Sequence, residues 1–131
     1  MGEREELNKL TEGIIGAAIE VHRTLGPGLL ESAYQAALAY ELGQRGYKVE
    51  QQKPIPMLYK EIKLDAGYRL DFLINSKVVL EIKSSDKISP IHDAQIISYL
   101  RLSGYKLGLL INFNVKLLKN GIKRFVNGSL D

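Results

Sequence analysis

A chain of 131 residues, 45% hydrophobic and 25% charged, has the length and composition of one globular domain with a core, which excludes a disordered tail. The absence of cysteine excludes a disulfide framework, a thiolate nucleophile and a cysteine zinc site, so any metal must be held by oxygen or imidazole. Lys+Arg 18 against Asp+Glu 15, a net charge of +3, is compatible with a polyanionic partner without demanding one. The apolar run Leu109-Leu110-Ile111 falls far short of the ~18 residues that span a bilayer, and Met1-Gly2-Glu3-Arg4-Glu5-Glu6 lacks a basic start followed by an apolar stretch. A soluble, cytoplasmic protein with no membrane contact is expected.

No linker, repeat or low-complexity tract divides the sequence, so residues 1–131 read as a single domain. Leu7, Leu10, Ile14, Ala17, Ala18, Val21 and Leu25 recur three or four apart, the pattern of an amphipathic helix that Gly26-Pro27-Gly28 stops. A second helix is predicted from about Leu30 to Gln44, with Gly43 and Gly46 at its end. Tyr47 to Gln51 and Ile55 to Lys63 read as short or edge strands, because Pro54 and Pro56 argue against a central place. Tyr68–Ile74 and Val78–Lys83 are rich in β-formers and flank the turn-like Asn75-Ser76-Lys77, so they read as a hairpin. A third helix follows from about Pro90 to Ser103, then a strand apolar on both faces from Tyr105 to Asn112. Asn120-Gly121 predicts a type I′ turn joining two short strands. This order gives an α/β sandwich with a mixed sheet.

Alternation places Leu70, Phe72 and Ile74 on one face of their strand, and Val78, Leu80 and Ile82 on one face of the next. If both sets enter one core, Ile74 pairs with Val78, Phe72 with Leu80 and Leu70 with Ile82, since a one-residue slip would turn one set outward. Asp71 then lies across from Glu81 with Cβ atoms ~5 Å apart, a destabilising pairing of like charges unless something compensates. Lys83 on the same face offers partial neutralisation, in which case the three residues form a solvated strand face worth ~0–1 kcal/mol. A hard divalent cation such as Mg²⁺ or Mn²⁺ is the other solution.

Two further polar pairs stand at helical spacing. Glu31 and Tyr34, at i and i+3, share a face directly after the Gly-Pro-Gly break, and Gln95 and Tyr99 share one at i and i+4 on the third helix. His22 and His92 show no metal-ligand spacing and read as structural or merely nearby.

These residues resemble a known family. Gly28-Leu29-Leu30-Glu31-Ser32-Ala33-Tyr34 reproduces the GxxExxY motif that names a family of small bacterial and archaeal proteins. Asp71, Glu81-Ile82-Lys83, Gln95 and Tyr99 look like the remaining motifs of the PD-(D/E)XK nuclease superfamily, with Leu70 where that motif has Pro. The likeness runs from Ile19-Glu20-Val21-His22 to Gly121-Ile122-Lys123-Arg124. It implies a restriction-endonuclease-like αβββαβ core, a mixed sheet flanked by helices, here with an extra N-terminal helix and a C-terminal hairpin.

The resemblance also implies phosphodiester hydrolysis dependent on Mg²⁺ or Mn²⁺. Asp71 and Glu81 would be the metal-binding carboxylates, the Ile82 carbonyl a backbone ligand and Glu31 an additional helix carboxylate. Lys83 would orient or activate the attacking water and stabilise developing charge. Gln95 and Tyr99 would position Lys83, water or a phosphate, with Tyr34 in the same catalytic set. Lys106, Lys116, Lys119, Lys123 and Arg124 form a basic series that could meet phosphates or simply be a solvated edge. The leading expectation is a nuclease acting on DNA, with a second copy or another protein as further partner. The alternative is a non-catalytic module on the same fold that binds nucleic acid or protein.

Overall fold

The computed structural model describes residues 2–130; Met1 and Asp131 lie outside the described residues. Helix α1 (Glu3–Leu25) buries Leu7, Leu10, Ile14, Ala17, Ala18 and Val21. It begins a turn before the apolar periodicity does, where Glu3, Glu5 and Glu6 favour the positive end of the helix dipole. Gly26 and Gly28 then adopt φ of 72° and 97°, left-handed values that let the chain reverse into α2 (Glu31–Gln44).

Five strands form the main sheet in the order β1-β4-β5-β6-β7. β1 (Val49–Pro54) lies at one edge beside β4 (Arg69–Ile74), β5 (Val78–Lys83) and β6 (Leu107–Asn112) are central, and β7 (Ile122–Val126) is the other edge. β2 (Met57–Tyr59) and β3 (Ile62–Leu64) make a separate two-stranded ribbon. Only β5 and β6 run parallel, and α3 (Pro90–Ser103) links them as the crossover that a parallel pair requires. Without the ribbon, the elements from α2 to β6 follow the expected αβββαβ order, α1 being the extra N-terminal helix. α1 and α2 pack on one sheet face with Phe72, Ile74, Leu80, Ile82 and Leu109; Tyr99 and Leu100 of α3 cover Leu73 and Val79 on the other.

The β4–β5 register is the predicted one for Ile74↔Val78 and Phe72↔Leu80. Asn75 and Ser76 turn the chain at positive φ, and the Lys77 N–H donates to the Ile74 carbonyl at 3.0 Å. Leu70, however, leaves the face expected of it. It joins Ile55, Leu73, Val79, Tyr99 and Leu100 beneath α3 rather than Phe72 and Ile74. The cause is a break in the pleat at Asp71. The β4–β5 ladder stops at Phe72↔Leu80, and on the β1 side Gln52, at φ 51°, pairs with nothing opposite Asp71. Strict alternation holds only along a continuous pleat.

The C-terminal segment also differs from expectation. Asn120 and Gly121 close a 3-10 turn (Leu118–Gly121), and neither takes the positive φ of a type I′ turn. The antiparallel C-terminal pair is β6 with β7, from Ile111↔Ile122 to Leu107↔Val126. Glycine at 121 answers a different need, since a Cβ there would stand 2.2 Å from the Asn112 carbonyl oxygen.

Candidate active site

The broken pleat delivers Asp71 and Glu81 to one point. Where the next rung of the ladder would lie, the Ile82 N–H donates to Asp71 Oδ2 at 2.9 Å and the Asp71 N–H donates to Glu81 Oε1 at 3.2 Å. Each carboxyl also influences the ionisation of the other. Glu81 is only 3% exposed. Burial, and then the charge of Asp71, push it up to about 9. Burial likewise raises Asp71, against the pull of the Ile82 amide and the Lys83 ammonium. Two like charges in a dry site favour either a retained proton or a cation.

The oxygen set suits a hard cation. Lys83 C=O accepts from the Phe113 N–H at 3.0 Å on the β6 side, so alternation turns the Ile82 carbonyl toward the open β4–β5 seam. Two carboxylates and a carbonyl from rigid strands fit Mg²⁺ or Mn²⁺, which keeps several waters and takes its other ligands from phosphate.

Glu31 does not complete a three-acid cluster. Among the described residues, no group of three or more His, Asp and Glu side chains gathers closely enough to hold an ion. Glu31 opens α2 and feels Asp71 and Lys83 through space, while burial raises its carboxyl above the usual range. The difference has a structural cause: Asp71 and Glu81 are clamped to neighbouring strand amides, whereas Glu31 approaches from a helix across the Gly26–Leu30 turn.

Lys83 forms no ion pair within salt-bridge distance among the described residues, yet its charge acts on Glu31, Asp71 and Glu81 together. Gln95 Nε2 donates to the Tyr99 hydroxyl at 2.9 Å. Burial raises the Tyr99 phenol, and the nearby Glu81 and Asp71 charges add to the effect, which puts this helix pair beside the carboxylates. Tyr34 faces elsewhere. Fully buried and stacked on Phe113 at 4.6 Å, it donates its hydroxyl to the Gly26 carbonyl at 2.5 Å and accepts from the Leu29 N–H at 3.1 Å. It pins the turn that aims Glu31, a positioning task rather than the catalytic one expected of it.

A family model of the PD-(D/E)XK nuclease superfamily matches residues 8–125, a span containing every one of these side chains. The chain belongs to the PD-(D/E)XK nuclease superfamily. Comparisons with curated proteins and with solved structures found no match. Membership of this nuclease superfamily implies a nucleic-acid substrate, and divalent metal ions are its usual cofactors. No helix among the described residues is long and apolar enough to cross a membrane.

On this nuclease fold the basic series does not make one patch. Lys106 lies before β6, at the end of the sheet away from Lys83, and pairs with Glu3 at 2.9 Å. On β7, Lys123 reaches Asp93 of α3 at 3.0 Å while Arg124 reaches Asn8 of α1 at 2.7 Å, on opposite sheet faces. Lys116 and Lys119 are exposed in the connection that leaves β6 at the Lys83 end.

Several supporting residues escape sequence reading. Ser84 Oγ donates to the Leu29 carbonyl at 2.6 Å, tying the chain after Lys83 to the Gly-Pro-Gly turn. Asn112 braces the same loop through Ser85, accepting its N–H at 3.1 Å and donating to its carbonyl at 2.9 Å. A polar residue closing an otherwise apolar strand was the available signal for Asn112; Ser84 offered none. His22 Nε2 bonds the Val115 carbonyl at 2.7 Å, and His92 completes a capping box with Ser89, so both histidines have structural partners.

Proposed function

We propose that this chain is a Mg²⁺- or Mn²⁺-dependent nuclease of the GxxExxY branch, hydrolysing phosphodiester bonds of DNA in the cytoplasm, with residues 1–131 forming one nuclease-like domain. The observation that carries the reading is the Asp71–Glu81 carboxyl pair at the end of its ladder, with Lys83 on the same strand.

Asp71, Glu81 and the Ile82 carbonyl would hold the cation. A bound cation would supply Lewis-acid polarisation of the scissile phosphate and a water of lowered pKa. Lys83 stabilises charge developing on the phosphoryl oxygens and orients the attacking water, in a site where exclusion of bulk solvent strengthens its field. Gln95 and Tyr99 hold a water or phosphate against Lys83. Glu31, outside the pair, attracts and orients solvated groups at the mouth.

Incubation of the purified chain with single-stranded, nicked and duplex DNA in Mn²⁺ tests the reading. Cleavage is expected and should be lost in Lys83→Ala and Asp71→Asn; cleavage indifferent to both substitutions would overturn the assignment. The separation of Glu31 from the pair favours one other reading, a module that binds nucleic acid or protein without hydrolysis. Salt-sensitive binding without cleavage in any divalent metal would support it.

A further inference from the structure

Next to the carboxyl pair lies a cleft of about 450 Å³ that shares only Gln95 and Tyr99 with the hydrolytic site. Met57 of the β2–β3 ribbon and Tyr68 form one side of it, and Ile91, His92, Gln95 and Tyr99 of α3 the other. Its composition is selective. No Lys, Arg, Asp or Glu lines it, so it is poorly suited to phosphate or to a cation.

What the cleft offers is aromatic and apolar surface with a few neutral hydrogen-bonding groups. Tyr68 is 42% exposed and Ile91 71% exposed, so both have surface open to a ligand in the cleft. The Tyr68 ring meets the buried Tyr99 ring at 5.8 Å and 54°, which fixes its orientation while leaving part of it open. Gln95 uses its amide N–H toward Tyr99, and no hydrogen bond occupies its carbonyl oxygen. His92 Nδ1 accepts from the Ser89 N–H, which leaves Nε2 as the donor of the ring. Ser98 adds a hydroxyl. A flat, neutral ligand with both donors and acceptors on its rim matches this set, and a nucleobase is such a ligand.

We infer that the cleft receives one unpaired base of the substrate strand, stacked on Tyr68 and read at its edge by Gln95 and His92, beside the phosphate that Lys83 faces. The inference rests on the nuclease reading and narrows it: the substrate near the scissile bond is single-stranded or has a base turned out of its stack. Aromatic stacking tolerates any base, so the cleft confers preference for unpaired strand rather than for sequence.

The test uses the full chain in EDTA, so that binding is read without cleavage. Fluorescence anisotropy compares a labelled dT12 strand, a backbone of equal length lacking bases, and a 12-base-pair duplex. The chain should bind dT12 more tightly than the baseless backbone. Tyr68→Ala should weaken dT12 binding about tenfold and leave the backbone unchanged, while Tyr68→Phe retains wild-type affinity. Ile91→Ser, at an exposed helix position that tolerates polarity, should weaken dT12 binding in the same sense. Equal wild-type affinity for dT12 and the baseless backbone, or a Tyr68→Ala variant that binds dT12 as the parent does, overturns the base site while leaving the nuclease reading intact. Failure to bind any of the three nucleic acids overturns the base site, and the nuclease reading falls with it if Mn²⁺ also brings no cleavage.

Discussion

Asp71 and Glu81 exchange roles across the β4–β5 seam. The amide of Asp71 is held by the side chain of Glu81, and the side chain of Asp71 holds the amide of Ile82, the residue after Glu81. Side chains thus do the work of a missing backbone rung. This keeps buried amides paired while leaving two carboxyls face to face, and the strain of that meeting is electrostatic rather than conformational.

The pH dependence of stability without metal follows. Glu81 has an ordinary value of 4.5 and is raised to about 9 in the fold. Below about 4.5 both folded and unfolded chains are protonated and the stabilisation is complete; as pH rises toward 9 the unfolded chain ionises freely and the folded one resists, so stability falls. Urea unfolding in EDTA should therefore show a midpoint that declines from pH 6 to pH 9. Glu81→Gln should flatten the decline and be the more stable protein at pH 8. Mn²⁺ at a hundred times its Kd should stabilise the parent by about 2.7 kcal/mol and leave Glu81→Gln little changed. A parent midpoint that rises over this range would show that the carboxyl pair is not protonated in the fold.

Removing Asp71 separates its structural and chemical duties. Asp71→Ala leaves the Ile82 N–H without its acceptor in a part-buried seam, at a cost of about 1–3 kcal/mol. Asp71→Asn can still accept that hydrogen bond, so it should be more stable than Asp71→Ala while binding Mn²⁺ at least ~10-fold more weakly. Thermal melting and isothermal titration on the two variants read the two effects independently.

The sequence made the scaffold legible where its physics is local and continuous. Helix α3 runs from Pro90 to Ser103 as its proline and glycine punctuation implies, and the Phe72↔Leu80 register follows from hydrophobic alternation. What alternation could not reveal was its own interruption at Asp71, which sends Leu70 to the other face; a positive φ at Gln52 has no signature in residue type. The Asn120-Gly121 pair misled for a related reason, because glycine there relieves a close approach to Asn112 rather than supplying a hairpin turn. Spacing put Glu31 and Tyr34 on one helix face but could not say that the hydroxyl turns back to the Gly26 carbonyl.

Tyr34→Phe isolates that contact. The ring stacking on Phe113 survives, but the Gly26 carbonyl and Leu29 amide lose their partner, which should cost about 1–2 kcal/mol of stability. Because the hydroxyl never reaches the carboxyl pair, Mn²⁺ affinity should stay within about threefold of the parent, any effect on cleavage coming through a looser Glu31. A variant of full stability and no metal binding would instead place the hydroxyl at the ion.

Glu31→Gln tests the helix acid directly. Its carboxyl lies near enough to feel Asp71 and Lys83 but outside a common ligand cluster, so neutralising it should change first-ion affinity by less than about threefold. Cleavage should fall further than affinity, by roughly tenfold, because orientation of solvent and phosphate at the mouth is what it supplies. A Glu31→Gln affinity loss as large as that of Asp71→Asn would mean that the acid moves in to bind the ion.

The basic residues sort by which end of the sheet they occupy. Lys116 and Lys119 are exposed at the end where β5 delivers Lys83, whereas Lys106 stands at the opposite end and is engaged by Glu3. If phosphates run past the carboxyl pair, Lys116→Glu with Lys119→Glu should weaken DNA binding in EDTA and reduce the slope of log affinity against log salt by about two, one unit for each lost phosphate contact. Lys106→Glu should leave both affinity and slope at the parent's values, since its charge lies beyond the reach of a strand held at Lys83 and is already partly neutralised. Equal slopes for the double variant and the parent would move the nucleic-acid path off this end of the sheet.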